Sequence, residues 1–162
     1  MSFNITPPPS EMDKRDEVLA KAYKNLIYFG RAFLPNDFLK KSESAPFHYE
    51  MGQKMIDTRP GARICNIIPR GHGKSVVAKA AIMHKLCFAA DDQQHFIAWV
   101  SEEQSQAIDH LKYIRSHFEN NKMIRYYFGN MDGGSVGKRW TEKDLVTPKG
   151  DRVISKGTSQ RT

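Results

Sequence analysis

The stretch Ile64-Cys65-Asn66-Ile67-Ile68-Pro69-Arg70-Gly71-His72-Gly73-Lys74-Ser75 decides how the chain is read. Its first five residues form a short apolar run, rich in β-branched side chains and without alternation. Such a run predicts a parallel strand buried on both faces. The glycines at 71 and 73 predict a tight turn after it. From Ser75 to about Ala90 the spacing predicts a helix, with Ala78, Ala81, Ile82 and Leu86 on its inner side.

Strand, glycine turn and helix in that order aim successive backbone N–H groups at the oxygens of a phosphate. Gly73-Lys74-Ser75 supplies the end of the P-loop signature, in which the lysine reaches the β- and γ-phosphates and the hydroxyl ligates magnesium. One departure stands out: the full pattern has a glycine where this chain has Ile68, so Gly71 is expected to relax the turn instead. The candidate nucleotide-binding residues are Arg70, Gly71, His72, Gly73, Lys74 and Ser75, with Ser75 as the metal ligand. Lys74 and Arg70 are the candidate catalytic residues. Arg70 admits two roles, a cation for charge developing on the γ-phosphate or a salt bridge that braces the loop. His72 reads as a solvent-facing loop residue.

Upstream, Pro7-Pro8-Pro9 closes an opening stretch read as an extended arm, since three prolines cannot start a helix. A helix is expected from about Glu11 to Phe33, its apolar stripe being Leu19, Ala22, Leu26, Phe29 and Phe33. Phe38 to Ala45 reads as a loop, Pro46 to about Asp57 as a second helix, and Arg59-Pro60-Gly61 as a turn. Downstream, Phe96 to Val100 is expected as a second buried strand, and Glu102 to Phe118 as a helix carrying Ala107, Ile108, Leu111 and Ile114 inward. Asn120 to Gly137 reads as a loop with an aromatic patch at Tyr126-Tyr127-Phe128, expected to pack in the core, with contact to DNA as the other reading. Leu145 to Thr147, the Pro148-Lys149-Gly150 turn and Arg152 to Ser155 predict a hairpin. The pattern implies an α/β layered fold with a mainly parallel sheet.

At 162 residues the chain can bury a core without staples. Cys65 and Cys87 lack the short-spaced partners of a zinc or redox site and read as two buried small hydrophobes in a reducing compartment. No apolar run approaches the roughly 20 residues of a membrane span, and the N-terminus lacks a secretory layout, so the chain is expected to be soluble and intracellular. The 25 basic against 18 acidic residues give a net charge of +7. That excess favours a polyanionic partner, and equally well describes a solvated basic surface.

Around the loop the sequence resembles the large terminase subunit of tailed bacteriophages, the ATPase that pumps DNA into capsids. The family's variant P-loop often lacks the first glycine and carries an arginine where Arg70 stands. Pro46-Phe47-His48-Tyr49-Glu50 resembles the segment ahead of that loop, on the adenine side; Phe96 to Ala107 is similar to the family's second strand and helix. Gly150 to Thr162 is similar to the stretch leading to its acidic Walker B strand. The resemblance implies a RecA-like P-loop NTPase fold, with an arm and helical segment over 1–60 and an ATPase core over 61–162 that stops short of Walker B. It implies ATP and Mg²⁺ as cofactors, and an ATP hydrolase activity of the intact protein that this stretch alone performs weakly. Double-stranded DNA, a small terminase subunit, the portal and further copies of the chain are the implied partners. The host cytoplasm is the implied location. Two other readings stand beside it: another nucleic-acid-dependent P-loop ATPase of helicase type, and a non-catalytic fragment that binds DNA or a partner.

Overall fold

The computed structural model describes residues 9–38, 43–57 and 62–159, with side chains from Lys14 onward. Most of the expected N-terminal arm, the polar stretch at 40–42, the turn at 59–61 and residues 160–162 lie outside them.

The N-terminal part is helical. It comprises α1 (Pro9–Lys24), α2 (Leu26–Phe33), the single turn α3 (Pro35–Phe38) and α4 (Pro46–Ile56). The long helix expected from Glu11 to Phe33 is therefore two helices. Asn25 breaks it: its backbone is extended, and its side chain accepts from Tyr28 N–H to cap α2. Asparagine competes with the helix for its own backbone, which makes it a better cap than an interior residue. The apolar stripe survives the break, with Ala22, Leu26, Phe29 and Phe33 all buried. Pro9, assigned to the arm, instead opens α1; proline is tolerated in a first turn, where its missing N–H would have no partner.

After the glycine turn comes α5 (Lys74–Cys87), then β1 (Phe96–Ser101), α6 (Gln104–Asn120) and α7 (Lys122–Phe128). A short 3-10 turn (Gly134–Val136) leads to β2 (Asp144–Val146) and β3 (Arg152–Gly157). The predicted hairpin is present: β2 and β3 pair antiparallel, with Leu145 opposite Val153. Gly150 closes the turn at φ +100°, and its N–H donates to Thr147 O. On the other side β1 runs parallel to β3, Ala98 opposite Ile154.

Among the described residues, 54% of which are helical, the sheet accordingly has three strands in the order β1-β3-β2 and is mixed. This corrects the expected fold class: among the described residues there is no layered, mainly parallel P-loop sheet. The strand expected at Ile64 to Ile68 is absent, and the segment runs as irregular chain with Ile67 93% exposed. Strand structure needs a neighbour to complete its hydrogen bonds, and no strand of the β1-β3-β2 sheet pairs with this segment. Cys65, expected to be buried, is exposed for the same reason, whereas Cys87 is buried and its thiol pushed up by desolvation. Nor is β1 buried on both faces: it alternates, with Phe96 and Val100 exposed and Ile97 and Trp99 leaning on the core.

Asn120 to Gly137 is not simply a loop. Asn121 ends α6 and caps α7, its side-chain oxygen accepting from Met123 and Ile124 N–H. That helix turns Phe128 towards Phe33 and Phe88, with ring centroids 5.2 and 5.0 Å away, and sets Tyr127 against Phe33. Tyr126 faces outward beneath the Arg15 guanidinium. The core is one cluster: Phe29 and Phe33 of α2, Met83 and Leu86 of α5, Leu111 and Ile114 of α6, and Leu145 and Val153 of the sheet.

Candidate nucleotide cleft

The site starts from two glycines. Gly71 and Gly73 have φ of +82° and +70°, and every non-glycine residue described has negative φ, so the sign alternates through Gly71-His72-Gly73. L-residues avoid the positive region because Cβ meets the following carbonyl. Alternation of this kind curls the backbone into a concavity whose N–H groups point inward, a form suited to anions. Gly73 is also the N-cap of α5, whose first intrahelical bond runs from Val77 N–H to Gly73 O. The N–H groups of Lys74, Ser75 and Val76 therefore have no acceptor within the helix, and no side chain caps them. Together with the helix dipole they make this end of α5 electropositive.

The loop is propped by α4. Ala45 N–H donates to His48 Nδ1 at 3.0 Å, which leaves the ring proton on Nε2. That nitrogen donates to His72 O at 2.9 Å, and His72 Nδ1 in turn donates to Arg70 O at 2.9 Å. His72 is exposed as expected, yet it ties the turn together rather than merely facing solvent. The loop-bracing role of His48 was not read from the sequence. The available signal was its place three residues after Ala45 at a helix start, where a side-chain acceptor turns back onto the cap.

Lys74 Nζ donates to Ile68 O at 2.5 Å and to Pro69 O at 2.6 Å. The ammonium is folded back on the entrance of the loop and keeps one of its three donors for the cleft. The Arg70 side chain is exposed on the same cleft, and its guanidinium makes no hydrogen bond or ion pair among the described residues. Of the two roles left open for it, the bracing salt bridge is not made among the described residues. Ser75 is exposed at the mouth.

These residues line a cleft of about 750 Å³ that reaches from the loop to Phe47 and His48 on one side and to Asp37 and Glu43 on another. That volume lies within the roughly 300–1,000 Å³ typical of ligand pockets. The structure thus brings Arg70, Gly71, His72, Gly73, Lys74 and Ser75 to one place, around a mouth with cations, free N–H groups and a hydroxyl. This donor set fits a magnesium-bound triphosphate: backbone N–H and ammonium for phosphate oxygens, hydroxyl for a hard cation. Glu102 and Glu103, which follow β1, do not line the cleft. Among the described residues, no group of three His, Cys, Asp or Glu side chains gathers in a metal-binding arrangement. No described helix is long and apolar enough to cross a membrane.

Comparison of the chain with protein-family models, with curated proteins and with solved structures found no match.

Proposed function

We propose that the cleft at the start of α5 binds the phosphates of Mg-ATP, and that the chain is the ATP-binding part of a viral DNA-packaging motor. In this reading Lys74 releases one of its two carbonyl contacts to take the β- and γ-phosphates. Ser75 ligates the magnesium, and Arg70, unpaired on the same cleft, meets charge on the γ-phosphate. Hydrolysis in the intact protein would drive movement of double-stranded DNA, with the small terminase subunit and the portal as partners. The cytoplasm of the host is where such a motor works.

The observation that carries the phosphate reading is the curled Gly71-His72-Gly73 backbone emptying into an uncapped helix start that bears Lys74 and Ser75. The motor itself rests on the sequence resemblance and on the +7 charge, which suits a DNA track.

Titration calorimetry with Mg-ATP tests the site. The wild-type chain should bind, and Lys74→Ala should weaken binding at least about tenfold, the loss expected for a charge-assisted contact to phosphate. Equal affinity of the two proteins would remove Lys74 from the site.

A second reading, a DNA- or partner-binding element without ATP turnover, is favoured by one observation. Among the described residues no strand carrying terminal acids stands beside the loop. Salt-dependent DNA binding with no thermal shift by Mg-ATP would bring it forward.

A further inference from the structure

A half-buried carboxylate shares the cleft with the phosphate-binding loop. Asp37, on α3, lines it together with Arg70, Lys74 and Ser75. It is held from behind, because Tyr113 of α6 donates its hydroxyl to Asp37 Oδ2. Burial, and then the bond to Asp37, hold that phenol in its protonated form, so it remains a donor at neutral pH.

The position of Asp37 along α5 follows from Lys79. The Lys79 ammonium sits 3.7 Å over the Tyr113 ring and is within reach of the Asp37 charge. Lys79 is four residues beyond Ser75, and residues so spaced share a helix face. Asp37 therefore stands beside the face of α5 that presents Ser75.

With Oδ2 engaged by Tyr113, Oδ1 and the remaining lone pairs are left for the cleft. A carboxylate at a polyphosphate site repels the ligand, here partly offset by the Lys79 ammonium, and a divalent cation between them reverses the sign. Magnesium is commonly held by one or two carboxylates together with substrate phosphates. Glu43 lines the cleft too, but it is exposed and makes no hydrogen bond among the described residues, so nothing there fixes its direction.

We propose that Asp37 positions the divalent cation that enters with the nucleotide, directly or through a coordinated water, with Tyr113 holding the carboxylate in place. The proposal rests on the phosphate-binding reading of the loop.

The test is ATP affinity measured across a MgCl₂ titration and again in EDTA, for wild type, Asp37→Asn, Tyr113→Phe and Lys74→Ala. Asp37→Asn should raise the magnesium concentration for half-maximal binding about tenfold or more, as loss of a ligand-orienting group does elsewhere. Its affinity for ATP in EDTA should hold or improve, since a repulsive charge is gone. Tyr113→Phe keeps the charge and should move the magnesium midpoint in the same direction by a smaller factor. It also decides the matter if Asp37→Asn fails to fold. An unchanged midpoint in both variants, with Lys74→Ala still defective, overturns the role of Asp37 and leaves the loop reading intact. Equal losses with and without magnesium place Asp37 against the nucleoside and overturn the cation role. Failure of the wild type to bind ATP removes both readings together.

Discussion

Replacing Asp151 with alanine should cost the protein about 3 kcal/mol, because one buried carboxylate anchors the hairpin to β1. Asp151 is fully buried, and three donors converge on it. His95 N–H and His95 Nδ1 each donate to Oδ1 at 2.9 Å, and the Thr147 hydroxyl donates to Oδ2 at 3.1 Å. The bonds join the residue before β1 to the turn between β2 and β3, so they hold together segments far apart in sequence. In the alanine variant the half-exposed His95 ring can turn to water and contributes little. The buried Thr147 hydroxyl and the part-buried His95 N–H are left without that acceptor, at about 1–3 kcal/mol each. Removing a buried charge returns part of its desolvation cost, which sets the total near the lower half of that sum. Against a stability of about 5–15 kcal/mol for a domain, the change is large. Urea unfolding at pH 7, followed by circular dichroism, reads it directly, with Thr147→Val expected to cost about 2 kcal/mol by losing two bonds, the hydroxyl's to Asp151 Oδ2 and the one it accepts from Asp151 N–H. A loss below about 1 kcal/mol for Asp151→Ala would refute the claim that this carboxylate anchors the sheet.

Stability should also fall as the pH drops from 7 to 5. His84, His110 and His117 are all held below the ordinary imidazole value, burial being the first cause in each. Their folded forms resist a proton that the unfolded chain takes up below about pH 6.5, so stability is complete above that value and is lost beneath it. His84, whose Nε2 bonds the Ala22 and Tyr23 carbonyls, is the most enclosed of the three, and His84→Gln should flatten the slope measured by thermal melts between pH 7 and 5. Gly73→Ala should cost about 1 kcal/mol in the same urea assay, since alanine at φ +70° is strained; a neutral substitution would mean the turn readily adopts another shape.

Particular residues show how far a linear reading reaches. The hairpin was legible because Pro148 and Gly150 fix a turn locally and the flanking residues alternate. Helices α5 and α6 were legible because their apolar spacing is local too, and α4 because Pro46 opens it. The break at Asn25 could have been read from the asparagine itself, but the unbroken stripe from Leu19 to Phe33 outweighed it. Tyr127 and Phe128 pack against the core as expected, whereas Tyr126, expected there with them, is exposed, and the helix that carries all three was missed. At the site, the loop residues are adjacent in sequence and could be named together. Asp37, His48 and Tyr113 could not, since only packing brings α3, α4 and α6 around the start of α5.

The amino-acid sequence alone determined the elements whose causes lie within a few residues. These are the amphipathic helices, the Pro-Gly turn, and a glycine-flanked lysine and serine at a helix start, because sterics and periodicity act over short distances. Tertiary structure decided whether Ile64 to Ile68 would be a strand. Its β-branched residues favour extended backbone, but a strand exists only when another strand supplies hydrogen bonds, and no strand of the β1-β3-β2 sheet pairs with it. The same limit applies to the Asp151 anchor and to the Tyr113–Asp37 pair: each joins residues whose separation along the chain carries no signal until the core has closed around them.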